Sequence, residues 1–396
     1  MISISSLILD NELVVKKHVE SLAFNRGASS VGEIKAIDYI ESELRSENIK
    51  AEFEYFDWTG PTRILMRTAY LILITYILLS RLLLVLIIYI IIKISFERFR
   101  KMSLIKKESS KNMYTRIPSI NQDPNRPVVI FSAHYDSVSA NIPYRLQYAI
   151  FLMYRFIIGF YIVVIGVLSI WLSLEVFQIY TLPSNIIIII ALVSIIGIVI
   201  AIPILYLVFN EKPSSCSIDN ASGVAILIEL AKHFARNPLE NIDLYFVWTG
   251  AEEWGLKGAK KFCSDHIRHF HNEYNMEKSF NVNIDMVGTY IGLFDKYGFL
   301  IRRKLNKNLT DLFESTANSM NIPITRYSKI VEPKSDHKIF KKCPNKDLQV
   351  VYFHSDKDSK YIHSLRDTPD KCLNESLNGC LKICYQALRT YDLDLK

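Results

Sequence analysis

The chain has 396 residues, half of them apolar, and a formal net charge of +7. This length fits one large domain or two average ones. No basic stripe carries interleaved aromatic side chains, so the sequence gives no indication of nucleic-acid binding. None of the six cysteines belongs to a CxxC pair, which argues against a disulfide framework or a structural zinc site.

The amino-terminal part of the chain predicts two amphipathic helices followed by a strand. Apolar residues recur every three or four positions in 14–22 and again in 34–44, as on one face of a helix. Ser30 and Glu33 match a capping box at the start of the second helix. The following stretch, AEFEYF at 51–56, alternates in the manner of a strand.

Three long apolar runs interrupt the chain, at 69–92, 148–174 and 186–209. Such runs can be core helices of a large soluble domain, but the second and third are long enough to cross a hydrocarbon core of about 30 Å. We therefore predict inserted transmembrane helices. Residues 138–213 would form a transmembrane hairpin, and 62–108 would form either a re-entrant segment or a single span.

Without these two insertions, the remaining chain forms a single domain made of 1–61, 109–137 and 214–396. Lysine and arginine residues flank the insertions on the side of this domain, whereas the connection at 175–185 has none. The positive-inside rule then predicts an integral, multi-pass membrane protein, with the lipid bilayer as a partner and the catalytic domain on the cytoplasmic face.

From residue 211 onward, strand patterns alternate with helix patterns. The strands are IDLYFVWT, VNID and LQVVYF, and a helix pattern occupies about 372–390. This alternation is typical of α/β domains. We predict a three-layer α/β/α sandwich with a mixed, mostly parallel sheet, to which the transmembrane helices are added.

His134 and Asp136 end a buried-strand pattern, PVVIFSAHYD. They lie two residues apart, so their side chains point the same way. His134 is a candidate metal ligand, and Asp136 is a candidate partner for its second ring nitrogen. A histidine at a strand end is more often structural, so this motif is weak by itself.

Two acidic motifs follow. Asp219 precedes a helix, where a carboxylate is by default an N-cap, although it can also bridge two cations. Glu252 and Glu253 follow a strand at the edge of the sheet where α/β active sites gather. Adjacent carboxylates repel unless a cation is near or one holds a proton. One of the two glutamates can bind metal while the other takes a proton from water. The alternative without a function is a solvent-exposed pair of glutamates at the start of a helix.

Asp285 ends a further strand, and His363 lies in YIHSLRDTPD before the last helix. Each is unremarkable alone. Together with the residues above they supply the oxygen and nitrogen ligands that zinc favours in hydrolytic pairs.

These motifs resemble the zinc exopeptidases that include aminopeptidase Y, bacterial leucyl aminopeptidases and glutamate carboxypeptidase II, grouped as metallopeptidase family twenty-eight. The similar stretches occur in the family's order and are SAHYDSV, DNASGVA, WTGAEEWGLKGA, NIDMVG, KSDHKIF and IHSLRDT.

The resemblance implies a membrane-bound enzyme with two Zn²⁺ that hydrolyses peptide bonds at a chain terminus, most simply as an aminopeptidase. Glu252 would be the general base that deprotonates a metal-bridging water and then protonates the leaving amine. The implied metal ligands are His134 and Asp285 for one ion, Glu253 and His363 for the other, and Asp219 as the bridge.

Two departures from the family pattern concern Ile218, where relatives often have an aspartate, and the lack of a clear counterpart to an oxyanion-stabilising tyrosine. Two alternatives stay open: a single-zinc enzyme resembling glutaminyl cyclases, and a non-catalytic membrane receptor with a peptidase fold. The sequence does not fix the preferred residue, the end of the peptide that is trimmed, or the oligomeric state.

Overall fold

A computed structural model describes residues 13–58, 68–69, 72–73, 108–139, 143–176, 183–209, 214–342 and 348–395. The chain divides into two compact units. The first consists of Met1–Asp57, Ser109–Ser139 and Lys212–Lys396, and the second of Trp58–Glu108 and Ala140–Glu211.

The described helices are α1 (Val14–Ser21), α2 (Val31–Arg45), α3 (Tyr144–Val176), α4 (Ser184–Phe209), α5 (Ser222–Arg236), α6 (Lys257–Glu273), α7 (Leu309–Ser319), α8 (His337–Phe340) and α9 (Asn374–Leu393). The described strands are β1 (Glu52–Trp58), β2 (Glu108–Ile117), β3 (Val128–His134), β4 (Asp243–Thr249), β5 (Phe280–Ile284), β6 (Gly292–Tyr297), β7 (Arg303–Lys304), β8 (Thr325–Lys329) and β9 (Gln349–Phe353).

The strands form one mixed sheet in the order β1-β2-β4-β3-β5-β9-β6-β7, with β8 paired to β6. Its centre is parallel, because β3 pairs in parallel with both β4 and β5, and β5 does so with β9. Strand β2 is antiparallel to β4, and β6 is antiparallel to β9. The carboxyl ends of the four central strands therefore meet at one edge.

Helices cover both faces of this sheet, because residues of the central strands alternate between two buried surfaces. On one face, Phe131 and Phe246 stack with ring centroids 5.3 Å apart, and Phe246 meets Phe234 of α5. On the other, Ile130 and Val247 belong to a cluster that includes side chains of α6 and α8. The predicted layers of the α/β domain follow from this period of two.

Helix α2 begins as its sequence predicts. The hydroxyl of Ser30 accepts a hydrogen bond from the backbone N–H of Glu33 over 3.2 Å. The side chain of Glu33 accepts a hydrogen bond from the backbone N–H of Ser29 over 2.6 Å. In a standard capping box the donor would be the N–H of the next residue, Ser30.

The second unit contains α3 and α4, which contact each other. A span needs roughly 20 consecutive apolar residues. Helix α3 carries Arg145, Gln147 and Arg155 in its first half, and across the described ranges no helix is long and apolar enough to cross a membrane. The predictions of inserted transmembrane helices over 138–213 and of an integral, multi-pass protein with a cytoplasmic catalytic face are therefore wrong. The apolar run at 69–92 lies almost entirely outside the described residues.

Candidate metal centre

The candidate site lies at the sheet edge where the central parallel strands end. His134 is the last residue of β3 and pairs in register with Thr249, the last residue of β4. Glu252 and Glu253 follow on the loop after β4, and Asp285 directly follows β5. Parallel strands carry their active-site residues at this edge because loops of several strands converge there.

Asp219 reaches the same edge from the turn that precedes α5. The side chain of Asn220 donates a hydrogen bond to the carbonyl of Ile284 over 3.0 Å and accepts one from the N–H of Met286 over 3.2 Å. These bonds tie the Asp219 turn to the loop that carries Asp285. Helix α5 begins at Ser222 without a side-chain cap, so Asp219 is not an N-cap.

The loops that carry the candidate ligands share a backbone feature. All of them except the described residues after His134 contain a non-glycine residue in the left-handed region, a conformation that costs roughly 1–3 kcal/mol and clusters at functional sites. These residues are Cys216 (φ 45°), Ala251 (φ 50°), Met286 (φ 77°) and His363 itself (φ 51°).

Two groups of side chains converge so that each could hold a cation. In the first, Nε2 of His134 lies 3.1 Å from Oδ1 of Asp219 and 3.4 Å from Oδ1 of Asp285. In the second, Nε2 of His363 lies 3.0 Å from Oδ2 of Asp219 and 3.1 Å from Oε1 of Glu253. Asp219 belongs to both groups and presents a different oxygen to each. All five predicted ligands are thus brought together.

Asp136 lies in the site, but its main contact differs from the predicted one. The Nδ1 atom of His134 is 3.1 Å from the main-chain oxygen of Asp136 and 3.6 Å from its carboxylate. The carboxylate accepts hydrogen bonds from the backbone N–H of Glu252 over 2.9 Å and of Glu253 over 3.2 Å. The side chain of Asp136 therefore fixes the turn that presents the two glutamates.

The two glutamates have raised pKa values. Burial raises the pKa of Glu252 well above its ordinary value, and the charges of Glu253 and Asp336 add to this, against the opposing charges of His134 and Lys334. Burial also raises the pKa of Glu253, and its contact with His363 opposes the rise. A buried carboxyl beside a second carboxyl can hold and release a proton near neutral pH.

The surrounding charges also shift the pKa values of the two histidines, upward, and of the shared aspartate, downward. Burial by itself would lower the pKa of His134 and His363, but the surrounding carboxylates raise both well above the ordinary value. Burial would raise the pKa of Asp219, yet its contacts with the two histidines lower it. The site thus has a strong excess of negative charge that attracts cations.

The residues fit a pair of divalent cations. Oε1 of Glu253 and Oδ1 of Asp285 are buried and accept no hydrogen bond of normal geometry, although a histidine nitrogen lies near each and buried polar atoms are normally satisfied. Both atoms belong to the two groups described above. Imidazole nitrogen combined with carboxylate oxygen is a ligand set that zinc accepts.

Several residues outside the set of candidate ligands support the site. Thr249 donates a hydrogen bond to Asp336, and burial raises the pKa of Asp336 to about 6. The hydroxyl of Tyr352 lies 3.4 Å from Oδ2 of Asp285, so this carboxylate has a buried partner beneath it. Asp336 lies within a stretch that resembles the zinc exopeptidases. Tyr352 lies within a predicted strand, where an aromatic residue is expected for packing and gives no sign of a role in the site.

Two further buried residues, Arg26 and Asp367, hold the backbone around Asp219. Asp367 accepts hydrogen bonds from the N–H groups of Ile218 and Asp219, and Arg26 donates to nearby carbonyls. Asp367 lies in the IHSLRDT stretch and could have been singled out there. Arg26 lies in a segment without any recognisable motif, so no signal pointed to it.

The sequence of residues 210–388 matches the family model described as Peptidase family M28. The matched range contains four of the five candidate ligands and the candidate base, while His134 precedes it. This match confirms the resemblance to the zinc exopeptidases. No curated protein sequence matches the chain.

Solved structures share the fold at low sequence identity. An aminopeptidase from Aneurinibacillus sp. strain AM-1 has 14% identity and a TM-score of 0.56, covering 95% of this chain and 93% of its own. A zinc aminopeptidase from Bacillus subtilis has 12% identity and a TM-score of 0.55, with 96% and 94% covered. A glutaminyl cyclase from an Acidobacteriales bacterium has 14% identity and a TM-score of 0.56, with 97% and 95% covered.

Proposed function

Because residues 210–388 of this chain belong to peptidase family M28, the protein is a peptidase, and we propose that it is a dizinc aminopeptidase. One observation carries the proposal: Asp219 offers one carboxylate oxygen to the group around His134 and the other to the group around His363. A carboxylate shared in this way suits a pair of ions that act on one substrate. The zinc aminopeptidase of similar fold supports the choice of metal.

Five side chains would hold the ions: His134, Asp219 and Asp285 around one position, and Asp219, Glu253 and His363 around the other. When bound, zinc would supply Lewis-acid polarisation of the scissile carbonyl and would lower the pKa of a water molecule.

Glu252 would carry the proton. Its carboxyl group is buried, and its raised pKa suits a group that accepts a proton from the attacking water and returns it to the leaving amine. Asp136 would keep this carboxyl in place through the backbone of the turn. The roles of Glu252 and Asp136 thus divide into proton transfer and orientation.

The test is hydrolysis of aminoacyl reporters by purified protein, with metal content measured in the same sample. We expect activity that a chelator removes and zinc restores. The Glu252→Gln variant should keep its metal and lose about 10²–10⁴-fold in kcat, the usual contribution of a general acid–base group. Glu277→Gln, on the surface, is the matched control. Unchanged activity of Glu252→Gln would refute the mechanism.

A second candidate, glutaminyl cyclisation, is favoured by the glutaminyl cyclases of similar fold. Peptides that begin with glutamine distinguish the two reactions. An aminopeptidase releases free glutamine and shortens the peptide by one residue, whereas a cyclase releases ammonia and leaves the residue in place. Mass spectrometry of the products together with the metal count per chain decides between them.

A further inference from the structure

The segment Ser214–Asp219 is irregular and largely buried, although it carries the shared ligand. Buried backbone groups outside helices and sheets need specific hydrogen-bond partners. Two completely buried side chains, Arg26 and Asp367, provide four of these bonds, and the hydroxyls of Ser214 and Ser222 provide two more.

Arg26 binds the carbonyl groups of this segment. Its Nη1 lies 3.1 Å from the oxygen of Ser215, and its Nη2 lies 2.8 Å from the oxygen of Cys216. Its Nε donates to the oxygen of Tyr135 over 2.9 Å. Tyr135 lies between His134 and Asp136, so Arg26 connects the loop of the first ligand to the segment that leads to Asp219.

Asp367 binds the N–H groups of the same segment. Oδ1 accepts from Ile218 over 2.6 Å, and Oδ2 accepts from Asp219 over 3.2 Å. Asp367 follows His363 by four residues, so these bonds connect the loop of a third ligand to Asp219. The loops of both histidine ligands are thus linked to the Ser214–Asp219 segment: that of His134 by Arg26, and that of His363 by Asp367.

We propose that Arg26 and Asp367 are positioning residues that hold the Ser214–Asp219 segment between them and thereby direct the two carboxylate oxygens of Asp219 to separate cations. The inference rests on the proposed two-metal site. Neither residue touches a candidate cation position, so each acts through the backbone of the Ser214–Asp219 segment. Outer groups that orient a ligand in this way commonly change metal affinity or activity by about 10–100-fold when they are replaced.

Asp392 provides a matched control. It is buried and accepts hydrogen bonds from two successive backbone N–H groups, those of Glu240 and Asn241, over 2.8 Å each. Those residues precede β4, whereas the site lies beyond the end of that strand. Asp392→Asn therefore removes the same kind of contact as Asp367→Asn without approaching the metal ligands.

The experiment is titration of the metal-free full chain with Co²⁺, followed by visible absorption, for the wild type, Asp367→Asn and Asp392→Asn. We expect Asp367→Asn to bind at least one ion about 10–100-fold more weakly and to show a changed cobalt spectrum, because the ligand geometry has shifted. Asp392→Asn should lose comparable thermal stability while its spectrum and affinity match the wild type.

An Asp367→Asn protein with wild-type spectrum and affinity would overturn the inference. If this variant does not fold, Arg26→Lys replaces it, since lysine keeps the charge but cannot reach the same set of carbonyls. A wild-type protein that binds a single ion would refute the two-metal proposal. The role of Asp367 would still be tested by the affinity for that ion, because Asp219 belongs to both groups.

Discussion

The carboxylate of Asp136 accepts a hydrogen bond from the backbone N–H of Glu252 over 2.9 Å, so a residue after β3 fixes the glutamate presented after β4. The neighbouring N–H of Glu253 is bound by the other oxygen of the same carboxylate. Orientation of the candidate base and of a candidate ligand therefore depends on one buried side chain.

Replacing Asp136 by asparagine tests this dependence. Asparagine has one carbonyl oxygen, so it can accept from one of the two N–H groups while its amide nitrogen faces the other. We expect kcat to fall by about 10–100-fold with little change in metal content. Steady-state kinetics and metal analysis measure this, with Asp392→Asn as the control. An equal fall in both variants would show that the effect is one of general stability.

Zinc should stabilise the folded chain, because the site buries several carboxylates with few opposing charges. A ligand that binds only the folded state stabilises it by about 2.7 kcal/mol at one hundred times its Kd. Thermal unfolding should therefore move to higher temperature with added zinc and to lower temperature with chelator. In Asp219→Asn, which lacks the shared carboxylate, the zinc-dependent shift should be much smaller. A wild-type Tm that does not respond to zinc would contradict the site.

Acid should destabilise the fold through Asp243, at the start of β4. Burial alone would raise its pKa, but hydrogen bonds from Arg126, Arg116 and the N–H of Ser119 lower it to about 2. Because the folded-state pKa lies below the unfolded one, this stabilisation is present above about pH 4 and is lost as the pH falls toward 2. The shift corresponds to about 2 kcal/mol.

Denaturant unfolding measured at several pH values checks this prediction. Asp243→Asn should be less stable than the wild type at neutral pH, and the difference should shrink between pH 4 and pH 2. The exposed Asp265, paired with Lys261, is a suitable control, since surface pairs contribute about 0–1 kcal/mol. A constant difference at all pH values would contradict the assignment.

Gly250, two residues before Glu252, packs closely against Ser110 and Lys111 of β2. A Cβ atom there would lie 2.5 Å from Oγ of Ser110 and 2.6 Å from the main-chain oxygen of Lys111. Gly250→Ala should therefore destabilise the fold by about 1–3 kcal/mol, as overpacking does, and lower kcat because Glu252 is two residues away. Gly159→Ala is the control, since an added Cβ there would have no atom of the described residues within 4 Å apart from its own helix. Calorimetry and kinetics on both variants measure the effects.

The convergence of the candidate ligands was predictable because each member follows a strand or precedes a helix in a recognisable motif. A pattern such as the one ending at His134 marks the end of a strand. The resemblance to the zinc exopeptidases then implied which ligands belong to which ion. The contacts of Asp136 were not predictable, because spacing shows that two side chains point the same way but not which backbone they bind. The role of Arg26 was not predictable, because it binds main-chain carbonyl groups, and these are present in every residue and leave no motif in the sequence.

The apolar runs show where composition misleads. Their length predicted membrane spans, but the structure gives helices α3 and α4 that do not meet the requirements for a span within the described part of the chain. Strands β6, β7 and β8 were also not predicted, because their residues mix charges with apolar side chains and follow no strict alternation. Sheet edges of this kind are defined by pairing with a neighbour, which local sequence does not encode.

The five candidate ligands come from five stretches of chain that are far apart in sequence. A chain that extends only past Asp285 contains the whole group around His134 but lacks His363 of the other group. The last of them, His363, arrives shortly before the final helix. Filling of both cation positions, rather than of one, would thus report that the chain has folded through His363, beyond the last strand β9.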